Sequence, residues 1–226
     1  MNHLDDFIID EPYNLTDEDK AAIALASPNG YHYKDWEKPC LNEFKERIRE
    51  YYRKKQHRRC AYCRTIVRRS QASAEDEHIV PKSKHEEWMY ETFNMCYSCK
   101  SCNTNKGYQK PIICDENVAY LPHDSEGYLI VHPHIDTYSE HIEIIDDVLY
   151  KGISQKGRDT IKTCGLNRYE LAVDRAEDVI REKGSKYEGY LIALVDADRN
   201  RNLVDVVNRF KESVHELCEE YKLNNR

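Results

Sequence analysis

The earliest regular pattern in the chain is an apolar stripe formed by Leu41, Phe44, Ile48, Tyr51 and Tyr52. Those spacings fall on one face of a helix. Residues 20–40 ahead of it read as irregular, with Pro28-Asn29-Gly30 as a turn and Pro39 as a helix-start signal. From Cys60 to Lys106 the sequence is short and punctuated. From about 118 to 150 the pattern predicts strands, including Gly127-Tyr128-Leu129-Ile130-Val131. The last third reads as helical. Gly165 is placed to end one helix in the left-handed conformation. Asn167 and Glu170 are spaced as a capping pair for the next. A final helix is predicted to carry Leu203, Val206, Val207, Phe210, Val214, Leu217, Cys218 and Tyr221 on one stripe. No apolar run approaches the roughly 18 residues of a membrane span. The first ten residues are acidic and lack the apolar centre of a signal peptide, so a cytoplasmic location and no membrane partner are expected.

Charge changes this picture twice. The 226 residues carry a formal net charge of −7, which argues against a nucleic-acid partner. The distribution argues the other way. Residues 1–19 hold seven Asp and Glu and no Lys or Arg, whereas residues 47–69 hold ten Lys and Arg against Glu50 alone. A run of one sign on a helix is ordinarily a solvated face. Beside the motif described below, it reads as a contact for backbone phosphates, with Arg58, Arg59, Arg64, Arg68 and Arg69 as the binding residues. Tyr51, Tyr52 and Tyr62 interleave with it, either to stack on bases or, for the first two, to fill the core stripe.

The chain has nine cysteines, an odd number without a secretory signal, so a disulfide framework is not expected. Cys60-Ala61-Tyr62-Cys63 and Cys99-Lys100-Ser101-Cys102 are two C-x-x-C knuckles. Each such turn presents two sulfurs side by side, and two turns complete a tetrahedral structural zinc site. The 35 residues between the knuckles exceed the usual ribbon spacing, so they must contain structure. Cys96 is a weaker rival ligand, because three cysteines of one turn cannot all reach one ion easily. The remaining cysteines read as core residues.

Between the knuckles stand Glu77-His78-Ile79-Val80-Pro81 and Asn94, and the second knuckle continues as Asn103-x-x-Lys106-Gly107. Cutting a phosphodiester requires an activated water, a base and positive charge near the leaving oxygen. His78 suits the base, and Glu77 with an oxygen ligand from a following helix suits a divalent ion. This stretch of about fifty residues resembles the HNH endonucleases, whose ββα-metal core is written C-x-x-C, [DE]-H-I-x-P, N-L, C-x-x-C-[HN]-x-x-K. The resemblance implies His78 as general base, Glu77 and Asn103 as metal ligands, Asn94 as the amide that ties the loop and orients the histidine, and Lys106 as a phosphate contact. The sequence departs from the pattern at Met95 in place of Leu, and carries Glu77 and Asn103 where many members have Asp and His. Neutral and carboxylate oxygens favour Mg2+ or Mn2+ as the catalytic ion.

Further along, His132-Pro133-His134-Ile135-Asp136, His141-Ile142, Lys156-Gly157-Arg158-Asp159-Thr160-Ile161 and Leu166-Asn167-Arg168 look like the segment after the HNH core in antiphage nucleases. They resemble the PtuB family of Septu systems and retron-associated HNH nucleases. The resemblance implies DNA as substrate and an ABC/SMC-like, PtuA-like ATPase as partner. His132, His134, Asp136 and His141 follow no standard ligand spacing for a second metal. His57 and His85 flank the motif and read as surface residues. The expected molecule is α+β. Residues 1–40 form an acidic segment, 41–115 a basic helix plus nuclease core, and 116–226 a strand-then-helical region suited to partner docking. The alternative function is a non-catalytic zinc module that binds nucleic acid or protein.

Overall fold

A computed structural model describes residues 6–67, 74–145 and 147–183. Arg68, Arg69 and the helix expected over 203–221 lie outside them. The chain divides into one compact unit through Arg168 and a second from Tyr169 onward. Among the described residues the architecture is mixed α and β, with five α-helices and two small antiparallel sheets.

The acidic segment contains the first helix, α1 (Asp17–Ala26), so residues 20–26 are helical and not irregular. Its start was legible in retrospect. Thr16 accepts from the Asp19 N–H while Asp19 accepts from the Thr16 N–H, a capping box built on T-x-x-D. The segment is pinned to helix α2 (Asn42–Lys55). Asp19 is fully buried and takes both Arg47 Nε at 2.9 Å and Arg47 Nη2 at 2.6 Å. Asp10 pairs with Lys55 at 2.9 Å. Ile9 is anchored by its N–H to Pro133 O.

Pro39–Leu41 forms a short 3-10 turn that leads into α2. The expected stripe is inward: Leu41, Phe44, Ile48 and Tyr52 are at most 1% exposed. Tyr51 sits at the edge, with its hydroxyl on Glu11 O. Strand β1 (Ala74–His78) pairs antiparallel with β2 (Met95–Cys99), placing Glu77 opposite Cys96 and His78 opposite Met95. Gln56, just past α2, clips β2 in place by accepting from Tyr97 N–H at 2.8 Å and donating to Tyr97 O at 2.7 Å. Helix α3 (Lys100–Lys106) starts directly from β2, with the Cys99 thiol as its cap.

The region after 116 departs from the expectation in detail. Residues 127–131 are not a strand. Gly127 ends a short 3-10 turn, Tyr128 bridges to Ile113, and the rest is irregular chain with Tyr128, Ile130 and Val131 buried. The strands are β3 (Ile142–Ile145) and β4 (Leu149–Gly152), a hairpin followed by helix α4 (Gln155–Cys164). Gly165 ends α4 in the left-handed conformation, φ 61° and ψ 44°. Helix α5 (Tyr169–Lys183) follows in the second unit. Asn167 does not form the expected box: its amide accepts from Tyr150 N–H and donates to Tyr150 O. No helix among the described residues is long and apolar enough to cross a membrane.

Candidate metal centre and cleft

The two knuckles converge although 35 residues separate them. The sulfurs of Cys60, Cys63, Cys99 and Cys102 all lie within 4.8 Å of one another. Cys63 Sγ and Cys99 Sγ are 3.9 Å apart, close to the edge of a tetrahedron with metal–sulfur bonds of about 2.3 Å. Within each turn a backbone N–H points at the first sulfur, Tyr62 N–H at Cys60 and Cys102 N–H at Cys99, both at 3.4 Å. Such donors stabilise thiolates. The Arg168 guanidinium reaches Cys102 Sγ at 3.5 Å and is held there by the carbonyls of Cys164 and Gly165. Four thiols and a cation facing one point fit an ion such as zinc. Cys96 is buried on β2 and stands outside the cluster. Of the other cysteines Cys164 is core, whereas Cys40 is half-buried and Cys114 is exposed. No second cluster of His, Cys, Asp or Glu with metal-holding geometry occurs among the described residues. Instead His134 Nε2 donates to Met95 O, and His132 packs against Phe93 and Tyr128.

A cleft of about 710 Å³ opens beside this centre, lined by Asp76, Glu77, His78, Lys82, Asn103 and Lys106 among others. Strand β1 lies between two helices, and alternation along it sorts the side chains. Glu75 and Glu77 face α3, where Asn103 and Lys106 are one turn apart. Asn103 Nδ2 donates to Glu75 Oε2, and Lys106 Nζ pairs with Glu77 Oε1 at 2.7 Å. Asp76 and His78 face the other way. Asp76 meets Arg49 of α2 at 2.7 Å, and the His78 ring packs edge-on against Trp36, centroids 4.5 Å apart. At the end of the strand both faces border the cleft.

His78 is 5% exposed. Its Nε2 lies 2.9 Å from the Met89 carbonyl oxygen, which only accepts, so Nε2 carries the proton and Nδ1 keeps its lone pair. Burial, with Lys82 adding to it, holds the imidazolium form down, to a pKa of about 3. Burial pushes the Glu77 carboxyl up, opposed by Lys106 and by Tyr62, whose hydroxyl donates to Glu77 Oε1 at 3.2 Å. Asp76 is raised to about 6 by burial, which its Arg49 partner only partly offsets. Its Oδ1 is buried without a hydrogen bond among the described residues.

Asn94 is fully buried. Its Oδ1 accepts from Val80 N–H at 2.8 Å, its Nδ2 donates to Val80 O at 3.0 Å, and its own carbonyl accepts from Ile79 N–H. One amide thus closes the loop that leaves His78.

The expected phosphate contacts are placed differently. Lys106 is 2% exposed and engaged with Glu77 and with His78 O. Arg64 is wholly buried, its guanidinium 3.7 Å from the Phe7 ring centroid and 4.3 Å from that of Tyr138. A phosphate on the surface has no access to it, so Arg64 is a core residue. Arg59 donates to Arg64 O, and Arg58 is exposed, at φ 63°. Tyr52 and Tyr62 are 1% exposed and unavailable for stacking. His85 is also buried, its ring stacked 3.8 Å from Trp88. Sequence reasoning missed Asp76, Lys82, Trp36, Arg168 and the Tyr62 hydroxyl. For Asp76 a signal existed, since alternation puts it on the His78 side of the strand.

No family model matches the chain, and no solved structure matches it. Two curated relatives do. One, Septu protein PtuB of Bacillus thuringiensis, is 30% identical over 115 residues, 51% of this chain and 39% of that protein. The other, Septu protein PtuB of Bacillus mycoides (strain KBAB4), is 29% identical over 184 residues, 73% of this chain and 62% of that protein. The chain therefore matches less than two thirds of the length of either relative, and what it resembles is the Septu protein PtuB.

Proposed function

We propose that the chain is a metal-dependent endonuclease of the HNH type, and that β1, β2 and α3 form its ββα-metal core. The observation that carries this reading is the state of His78: a neutral imidazole at a cleft, its proton fixed on Nε2 by Met89 O. Such a group takes a proton from water through Nδ1. Trp36 and the loop tied by Asn94 hold the ring in place. Oxygen donors adjoin it. Glu77 and Asn103 are the candidate ligands of a divalent ion, and the unpartnered Asp76 Oδ1 supports an oxygen-rich site suited to Mg2+ or Mn2+. When bound, such an ion neutralises charge on the phosphate. For Glu77 to serve as a ligand, its carboxylate must turn from Lys106, or share Oε2 while Oε1 stays paired. The four-cysteine centre, holding zinc, would fix the start of α3 and hence Asn103 and Lys106.

The substrate proposed is DNA, and the system an antiphage one in which the chain works with an ABC/SMC-like ATPase. The names of the two relatives support the system, and the motif supports the chemistry. Plasmid incubated with the protein and Mg2+ or Mn2+, with the ATPase present, tests the reading. Cleavage by wild type is expected. His78→Ala is expected to retain bound zinc and thermal stability while losing at least about a hundredfold in rate, the usual scale for a positioned base. A variant that cuts at the wild-type rate would reject the assignment. It would leave the non-catalytic zinc module.

A further inference from the structure

Among the described residues, Lys82 is a cation lining the cleft that makes no ion pair. Lys106 is paired with Glu77, and Arg49 with Asp76. Lys45 lies over the Trp36 ring, 5.4 Å from its centroid. Lys82 lines the same cleft and is half-buried, yet its ammonium makes no hydrogen bond or ion pair among the described residues. A partly desolvated ammonium at a cleft wall, without a partner, is a ready contact for a bound anion. Burial holds the Lys82 ammonium below the usual lysine range, with Glu37 and Glu77 opposing and Lys45 and Lys106 reinforcing the shift.

The backbone makes Lys82 a fixed feature. It follows Pro81, whose carbonyl accepts from the N–H groups of Lys84 and His85 in a closed turn. The preceding Val80 is gripped at both its N–H and its C=O by Asn94. Lys82 therefore emerges from a braced turn four residues after His78.

We propose that Lys82, and not Lys106, is the side chain that binds the substrate phosphodiester, through a non-bridging oxygen, and sets it before His78. This rests on the nuclease reading for the reaction and on the cleft geometry for the binding. In the step so arranged, the water oxygen bonds to phosphorus while its proton passes to His78 Nδ1. The bond to the leaving oxygen breaks, and that oxygen keeps the electron pair until it is protonated by solvent. Lys82 offsets the charge that accumulates on the phosphoryl oxygens.

The test uses the full chain with a fluorescent oligonucleotide, first without divalent ion over a range of salt, then with Mg2+ for cleavage. Lys82→Gln is expected to weaken binding about tenfold, as loss of one charge-assisted contact does. It is also expected to shrink the slope of log K against log salt by about 0.7–0.9. Lys82→Met, which keeps the aliphatic stem, should show the same losses, and Lys82→Arg should restore most of the binding. Zinc content and unfolding temperature should match wild type in all three. Unchanged affinity and slope in Lys82→Gln and Lys82→Met would overturn the proposal even if His78→Ala abolished cleavage. Lys82-dependent binding without any cleavage by wild type, with Mg2+ or Mn2+ and the ATPase both present, would instead overturn the nuclease reading and leave the phosphate contact standing. No binding by wild type at all would overturn both.

Discussion

At the scale of single residues, the motif's polar positions are held mainly by backbone groups. His78 is fixed by one carbonyl, and Asn94 closes a loop through both backbone groups of Val80. Removing the Asn94 amide would leave the Val80 N–H and C=O buried without partners, at about 1–3 kcal/mol each. Asn94→Ala is therefore expected to lower unfolding free energy by about 2–5 kcal/mol in urea titration. It should also loosen the His78 loop, so activity should fall more than stability alone explains. A loss below 1 kcal/mol would deny Asn94 this tie. Glu77, His78, Asn94 and Asn103 could be singled out from the sequence as a set, through the motif they resemble. Their partners could not be. Lys106 reads as a free cation until β1 and α3 are placed side by side, when Glu77 takes it. Arg64 reads as part of a basic run until Phe7 and Tyr138, distant in sequence, close on it.

At the scale of elements, local periodicity identified what local forces decide. The α2 stripe, the left-handed end of α4 at Gly165 and the knuckles all follow from a few neighbouring residues. The apolar run 127–131 satisfied a strand pattern, yet it packs as irregular chain, with Val131 N–H bonded to the Thr160 hydroxyl of α4. A short apolar run fixes burial but leaves open which backbone partner it finds. Helix α4 is itself seated by the absence of a side chain. A Cβ on Gly157 would lie 1.8 Å from His141 O. That carbonyl also accepts from Ile153 N–H, so it is not free to withdraw. Gly157→Ala should therefore displace α4 and cost more than about 2 kcal/mol, although alanine is the better helix former in isolation. Equal or raised stability in thermal unfolding would show that the helix sits further from residue 141 than described.

At the scale of the whole chain, the −7 net charge averages over segments of opposite sign. Part of the basic run is answered by acidic residues distant in sequence, by Asp19 at Arg47, Asp76 at Arg49 and Asp10 at Lys55. Segregated charge in the sequence thus becomes contact between segments in the fold. Acid sensitivity follows from the interior. Burial holds His132 well below its ordinary pKa and His134 down to about 4. Above about pH 6.5 neither state is protonated and the fold loses nothing. Between about 6.5 and 4 the unfolded chain takes up protons that the folded one refuses. Stability then falls with decreasing pH, by up to about 1.4 kcal/mol per unit for each histidine. His134→Gln, which can retain a donor to Met95 O, should narrow the gap in unfolding temperature between pH 7.5 and 5. An unchanged gap would remove His134 from the acid response. The knuckle neighbourhood also has a consequence for how the chain is made. All four thiols have left the ribosome once Cys102 is out. Their packing shell is not complete until Tyr138, whose hydroxyl seals Tyr62 O, and Tyr150, which seals Cys63 O, have followed. A nascent chain can therefore capture metal early but must wait some fifty further residues, several seconds of synthesis at about 5–20 residues per second, to shield it. In that interval the thiols are open to competing metals and to oxidation.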